Sequence, residues 1–314
     1  MHVSEFPPVT GCWFLTAPTA SGKTELGIRL ALQLKAEIIS LDSMALYRGM
    51  DVGTAKPNAD QLRLAPHHLI DSVDPEQEYS LAQYVRAAHA ATHDIKSRGL
   101  NVLFVGGTPL YLKALLRGIF EGPPADWAYR ERLQAEIAAS GPEQLHARLA
   151  EVDLVTAAKL HPRDTRRIVR ALEVYDKLGR RISELQSQFD AAPSADKTNI
   201  VYLLQWPREE LHARIDRRVD AMFSAGLVNE VRQLTAAGRK LSRTAAQAVG
   251  YREVLEHLAG HHDLPTAIQL VKTRTRQFAK RQGTWFRSLS ECRPILMTEN
   301  VDVDALAGRL ATTP

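Results

Sequence analysis

The stretch Ala17-Pro-Thr-Ala-Ser-Gly-Lys-Thr24 follows an apolar run, Cys12-Trp-Phe-Leu15, and opens a segment with helical periodicity from Glu25 to Leu34. A strand that feeds a tight loop and then a helix can converge successive backbone N–H groups on one anion. The helix N-terminus adds partial positive charge and Lys23 a full one. Ala17, Pro18, Thr19, Ala20, Ser21, Gly22, Lys23 and Thr24 are therefore read as a phosphate cradle, with the Thr24 hydroxyl placed for a magnesium ion. The strict motif has glycine where this chain has Ala17, so the backbone there must keep an ordinary negative φ. Taken alone, the loop points to a nucleotide such as ATP as its default ligand.

Working outward, Ala36-Glu-Ile-Ile-Ser-Leu41 reads as a strand ending on the polar cluster Asp42-Ser-Met-Ala-Leu-Tyr-Arg48. His68 to Asp71 is a short strand candidate, and Leu81 to Arg98 is a helix capped by Ser80 and stopped by Gly99. The most apolar strand, Asn101 to Val105, runs into Gly106-Gly-Thr-Pro-Leu-Tyr111 and a further helix. Strands alternating with helices predict an α/β fold, a P-loop core on a doubly wound parallel sheet. From about Asp126 to Phe189 only helical periods occur, and Ala192-Pro-Ser-Ala-Asp196 breaks them. The expected organisation is a catalytic core over 1–122 and 198–314, with an inserted all-helical domain over 123–197. Asn199 to Leu204 returns to the sheet. A helical C-terminal region follows over about Arg208 to Ala225, Leu227 to Ala237, Ser242 to Leu258 and Leu264 to Arg287, with Ile295 to Met297 as an edge strand.

The composition fits a globular protein: 314 residues, 45% hydrophobic, net charge +4. No apolar run approaches the roughly 20 residues of a membrane span, and no signal pattern opens the chain, so a cytoplasmic protein without membrane attachment is expected. The two cysteines, Cys12 and Cys292, suggest neither a disulfide framework nor a zinc site. The adjacent pairs His67-His68 and His261-His262 point their rings apart rather than at one metal.

Asp42 ends an apolar strand, with 18 residues between it and Lys23. There it can serve as a magnesium-binding acid, a general base or a structural cap, and its position alone does not choose. Thr108 ends the strand nearest the sheet centre, where a hydroxyl can donate to a leaving-group oxygen or simply cap a turn. Basic residues cluster three times, at Arg163, Arg166, Arg167 and Arg170, at Arg214, Arg217 and Arg218, and along Val271 to Arg287, which contains no acid. One basic helix face is ordinary surface, whereas three with aromatics nearby suit a polyanion.

Seven segments together resemble the tRNA dimethylallyltransferase (tRNA isopentenyltransferase) family over nearly the whole chain. They are Ala17 to Thr24, Asp42 to Pro57, Pro66 to Asp71, Gly106 to Tyr111, His161 to Tyr175, Val249 to Arg252 and Ala279 to Arg287. The resemblance implies an enzyme that transfers a dimethylallyl group from dimethylallyl diphosphate to N6 of the adenosine 3′ to the tRNA anticodon. It implies Mg2+ as cofactor and a helical insert that grips the anticodon arm. By the same resemblance, Asp42 accepts a proton from the adenine amine, Thr108 acts near the diphosphate, and Arg218 joins Ala17 to Thr24 in binding it. Asp42, Ser43, Met44, Ala45, Arg130, Arg166, Arg167, Ile168, Val169, Arg170, Gln247, Ala248, Val249, Gly250, Tyr251 and Arg252 match tRNA-contact segments. Two departures stand out: Ala45 replaces a frequent glutamine, and Leu154 a frequent proline. The absence of a zinc-finger extension fits a bacterial-type member, and a monomer is expected. The alternatives are a P-loop kinase, a prenyltransferase for free nucleotides, and a non-catalytic RNA-binding module. The kinase leaves the arginines of the insert without a task, and the RNA-binding module leaves Lys23, Asp42 and Thr108 idle.

Overall fold

The computed structural model describes residues 5–186 and 199–312. These fall into two compact units, Val9–Leu116 with Pro193–Pro314, and Met1–Pro8 with Arg117–Ala192. The break read at Ala192 to Asp196 lies outside the described residues. No helix among them is long and apolar enough to cross a membrane.

In the larger unit the strands are β2 (Trp13–Thr16), β3 (Ala36–Ser40), β4 (His67–His68), β5 (Asn101–Gly106), β7 (Ile200–Gln205) and β8 (Cys292–Leu296). They form one sheet in the order β4-β3-β5-β2-β7-β8, with every neighbouring pair parallel. Parallel strands carry crossover helices on both faces, so their sequences are continuously apolar. Accordingly β3 is buried at every position, and Phe14 of β2 stacks on Phe104 of β5 at 4.8 Å. Leu26, Ile28, Leu30 and Leu34 of the helix Lys23–Leu34 are buried, and Leu26, Ile28 and Leu30 pack with Leu15, Ile38 and Leu103.

Register decides where the polar ends meet. Thr16 pairs with Gly106, and Ser40 with Val105. The loops that leave β2, β3 and β5 therefore open at one edge, the ligand edge of such sheets. Gly106 permits this closeness, because a Cβ there would stand 2.1 Å from the Leu41 carbonyl oxygen. Several boundaries differ from the periodicity reading: the strand read over His68 to Asp71 is His67–His68, with Leu69 and Asp71 at positive φ, and the helix read over Leu227 to Ala237 stops at Leu234. The helix expected over Ser242 to Leu258 is two, Arg243–Ala246 and Tyr251–Leu258, because Gly250 takes φ +97° between them. The edge strand begins at Cys292 rather than Ile295.

The smaller unit pairs β1 (Glu5–Phe6) antiparallel with β6 (Ile119–Phe120). Its helices are Trp127–Ser140, Pro142–Val152, Leu154–Lys159, Thr165–Leu178 and Ile182–Leu185. Leu133, Leu145, Leu149, Ile168, Val169 and Leu172 form their core. Asp153 caps Leu154–Lys159 by accepting from the Thr156 N–H at 3.0 Å. Leu154 is thus the first helical residue, 70% exposed, at the position where proline is also well tolerated.

Candidate active site

The loops at the carboxyl edge of the sheet surround a cavity of about 570 Å3, lined by Thr19 to Glu25, Asp42 to Ala45, Gly106 to Thr108 and Arg218. In the phosphate loop Ala17 keeps an ordinary backbone, and positive φ falls instead at Ala20 (+63°) and Gly22 (+81°). Lys23, the first residue of the helix, donates to the Pro18 carbonyl at 2.8 Å and so folds back over the loop. Burial and the nearby Arg218 push its pKa from the usual value near 10.5 down to about 7, against the opposing pull of Asp42.

Asp42 is half-buried, and its Oδ1 accepts from the Met44 N–H at 2.8 Å and the Ala45 N–H at 3.4 Å. That turn fixes the carboxylate at the cavity wall. Thr108 holds the same loop from the other side. Its N–H donates to the Leu41 carbonyl at 3.1 Å, and its Oγ1 accepts from the Ser43 N–H at 3.1 Å. The hydroxyl hydrogen of Thr108 is then left to point elsewhere. Arg218 donates to the Thr54 carbonyl at 3.0 Å, and burial lowers its pKa while Asp42 raises it.

Two residues that sequence reading missed hold this arrangement. Gln282 is 4% exposed; its Oε1 accepts from the Thr19 N–H at 3.0 Å and its Nε2 donates to the Gly107 carbonyl, tying the phosphate loop to the Thr108 loop. Glu230 accepts from the N–H groups of Asp51, Val52 and Gly53 at 2.9, 2.7 and 3.2 Å, and from the Tyr251 hydroxyl at 2.6 Å. It thereby shapes the loop whose Thr54 carbonyl receives Arg218. Neither carries a local signal: Gln282 is one of three glutamines in its helix, and the backbone N–H partners of Glu230 lie about 180 residues away in sequence.

Thr24, Ser21 and Asp42 line the cavity, and their side-chain oxygens are hard ligands of the kind Mg2+ takes. No group of three or more His, Cys, Asp or Glu side chains forms a cage among the described residues. A sparse oxygen set suits an ion that shares its coordination with substrate phosphates.

The tRNA-matching residues separate. Ala45, Ala248, Gly250 and Tyr251 are buried, whereas Gln247 and Arg252 are exposed, Arg252 being paired with Glu256 at 3.0 Å. In the smaller unit Ile168 and Val169 are core residues, 0% and 4% exposed, because helical spacing turns them inward when the neighbouring arginines face out. Arg166 and Arg167 are exposed. Arg130 and Arg170 instead meet on the fully buried Glu173, at 2.7 Å each. Burial pushes the Glu173 pKa up, but hydrogen bonds from Arg130, the Asp126 N–H and Arg170 outweigh it and hold the carboxyl below its ordinary value.

The other basic groups are also reassigned. Arg163, grouped by sequence with Arg166, Arg167 and Arg170, precedes their helix, Thr165–Leu178. Lys272 pairs with Asp220 at 2.7 Å, Arg276 with Asp216 at 2.7 Å and Arg274 with Glu253. The acids missing from Val271 to Arg287 are thus supplied by neighbouring helices.

The sequence pattern of the IPP transferase family matches residues 45–289. A tRNA dimethylallyltransferase of Rhodopirellula baltica is 50% identical over 287 residues, 89% of this chain and 86% of that protein. One from Pelotomaculum thermopropionicum is 43% identical over 95% of this chain and 94% of its own length. Among solved structures, the full-length tRNA isopentenylpyrophosphate transferase of Bacillus halodurans superposes with TM-score 0.70 at 36% identity, covering 96% of this chain and 94% of that one. A eukaryotic dimethylallyltransferase, captured acting on tRNA, gives TM-score 0.78 at 30% identity over 96% of this chain and 77% of its own.

Proposed function

The chain belongs to the IPP transferase family, and from that premise we propose how its cavity performs the family's reaction. It is a prenyltransferase enzyme that moves a dimethylallyl group onto an adenosine of tRNA, with a divalent metal. In our reading the donor is dimethylallyl diphosphate, the metal is Mg2+, and the acceptor is N6 of the adenosine 3′ to the anticodon. The observation that carries this is the convergence of the phosphate loop, Asp42, Thr108 and Arg218 on one cavity that also has an apolar wall, including Val105, Val219, Met222, Val271 and Phe278.

The N6 lone pair attacks the allylic C1, forming the C–N bond, while the C1–O bond breaks and its electron pair leaves with diphosphate. The N6 proton passes to the Asp42 carboxylate. Charge gathers on the departing diphosphate, and Lys23, Arg218 and the loop N–H groups are fixed where it gathers. The Thr24 hydroxyl would hold a magnesium ion, which would neutralise part of the same charge. Thr108 fixes the loop that carries Asp42 and directs its hydroxyl toward the leaving oxygen. Because the amine is out of reach in a stacked loop, the adenine must be turned out of the stack to reach Asp42. The helical unit, read as the inserted domain 123–197, takes the anticodon arm through Arg166 and Arg167, with Arg130 and Arg170 set by Glu173. Gln247 and Arg252 are exposed for tRNA contact on the core. We place the enzyme in the cytoplasm, as a monomer.

Incubation of the protein with labelled dimethylallyl diphosphate, magnesium and unmodified tRNA should label the tRNA at that adenosine. Labelling of free AMP in preference to tRNA, or none of any tRNA with adenosine there, would reject the assignment. Asp42→Asn should lower turnover by about 10²- to 10⁴-fold while leaving diphosphate binding in place.

A further inference from the structure

Two successive peptide groups at the tip of the phosphate loop are gripped from outside the cavity. The Arg214 Nε–H donates to the Ala20 carbonyl at 2.9 Å, and the Trp206 indole N–H donates to the Ser21 carbonyl at 3.1 Å. The two donors act as one piece, because the Arg214 guanidinium lies over the Trp206 ring at 4.1 Å from its centroid. There are no cis peptide bonds among the described residues, and in a trans peptide the C=O of one residue and the N–H of the next point in opposite directions. Holding the carbonyls of Ala20 and Ser21 outward therefore turns the N–H groups of Ser21 and Gly22 inward, toward the cavity that both residues line. Neither N–H has a hydrogen-bond partner among the described residues, and the Ser21 hydroxyl is buried there without one.

The grip also explains the backbone of Ala20. Its φ of +63° is disfavoured for a residue with a Cβ, by roughly 1–2 kcal/mol. A charge-assisted bond on its carbonyl offsets that strain. One turn along the helix Arg208–Ser224, Arg218 faces the cavity itself. The helix thus sets one guanidinium behind the loop and the next in front of it.

We propose that Trp206 and Arg214 are positioning residues for the diphosphate, which they do not touch: they fix the peptide planes that present the Ser21 and Gly22 N–H groups to it. This rests on the donor reading given above. A role confined to fastening the helix to the loop predicts lower thermal stability with unchanged diphosphate affinity. The positioning role predicts weaker diphosphate binding even where stability is kept.

The test uses the full chain with magnesium and measures inorganic diphosphate binding by calorimetry, KM for dimethylallyl diphosphate, tRNA affinity and Tm. Trp206→Phe keeps an aromatic ring beside Arg214 and removes the indole N–H, together with the rest of the indole's five-membered ring. It should weaken diphosphate binding and raise KM for dimethylallyl diphosphate together, by about 3- to 10-fold, with tRNA affinity unchanged. Arg214→Met should show a larger loss in the same two quantities, and Arg214→Lys should recover part of it. Trp206→Phe binding diphosphate as tightly as the unaltered chain, or losing tRNA affinity in the same proportion, overturns the positioning role. Failure of the unaltered chain to bind diphosphate overturns the donor reading itself, and this inference with it.

Discussion

Each unit of the molecule encloses a centre of charge, and the two are resolved in opposite ways. In the helical unit the carboxylate of Glu173 is fully buried, but two guanidinium groups and a backbone N–H surround it, and its pKa falls below the ordinary value. In the core the cations Lys23 and Arg218 sit together with only Asp42 opposing them, and Lys23 is pushed down to about 7. A buried charge that finds its partners inside the fold stabilises that fold. A set of like charges left in excess disfavours the free protein and favours an anionic ligand.

The strongest way to break the comparison is to remove a charge from each centre. Lys23→Met should lower turnover by about 10²- to 10³-fold, the scale of losing one group aimed at developing charge. It should also make the chain more stable to urea, most clearly below pH 7. The sign follows from the protons bound: between pH 7 and the ordinary lysine range the unfolded lysine carries a proton that the folded one lacks. Stability from this group accordingly rises with pH across that window, and its penalty is full below it. A Lys23→Met chain less stable than the parent at pH 6 would refute the contrast.

Glu173→Gln should do the reverse, destabilising the helical unit by about 3 kcal/mol in urea melts, since two guanidinium groups lose their shared anion. Here the folded pKa is lowered. The contribution of Glu173 is therefore present above the ordinary carboxylate range and is lost as pH falls through the folded value. Acid titration of the parent and Glu173→Gln chains should converge at low pH; parallel curves would show that Glu173 is not the group responsible.

A gentler probe sharpens the core half. Donor binding favours protonated Lys23, so diphosphate affinity should decline above about pH 7, by at most about tenfold per pH unit. Calorimetry across pH 6 to 9 reads this directly, and the decline should vanish in Lys23→Met. The smallest effect belongs at Leu154, where Leu154→Pro should change stability by no more than about 0.5 kcal/mol, because the first helical position has no N–H bond to lose.

The strand-loop-helix from Cys12 to Leu34, the parallel sheet and the polar strand ends at Asp42 and Thr108 were legible because each rests on short-range rules: apolar runs, turn glycines, helix starts. The basic clusters were legible as charge but not as task. Arg214, Arg217 and Arg218 are neighbours in sequence, yet one holds the loop at Ala20, one pairs with Glu299 at 3.4 Å, and one reaches Thr54. Ile168 and Val169 sit among arginines in the sequence, yet the helix turns them into the core.

The sequence by itself determined the phosphate-loop pattern, the α/β class and a carboxylate at the end of a buried strand, since these are local patterns that need no distant partner. Only the tertiary structure decided which charges are spent within the protein and which are left for a ligand. That depends on groups far apart in the chain, Glu173 with Arg130, Glu230 with the loop at Asp51 to Gly53, and Gln282 with Thr19. A side chain's electrostatic role is set by the sum of its neighbours at a few ångströms, and that sum exists only once the chain has folded.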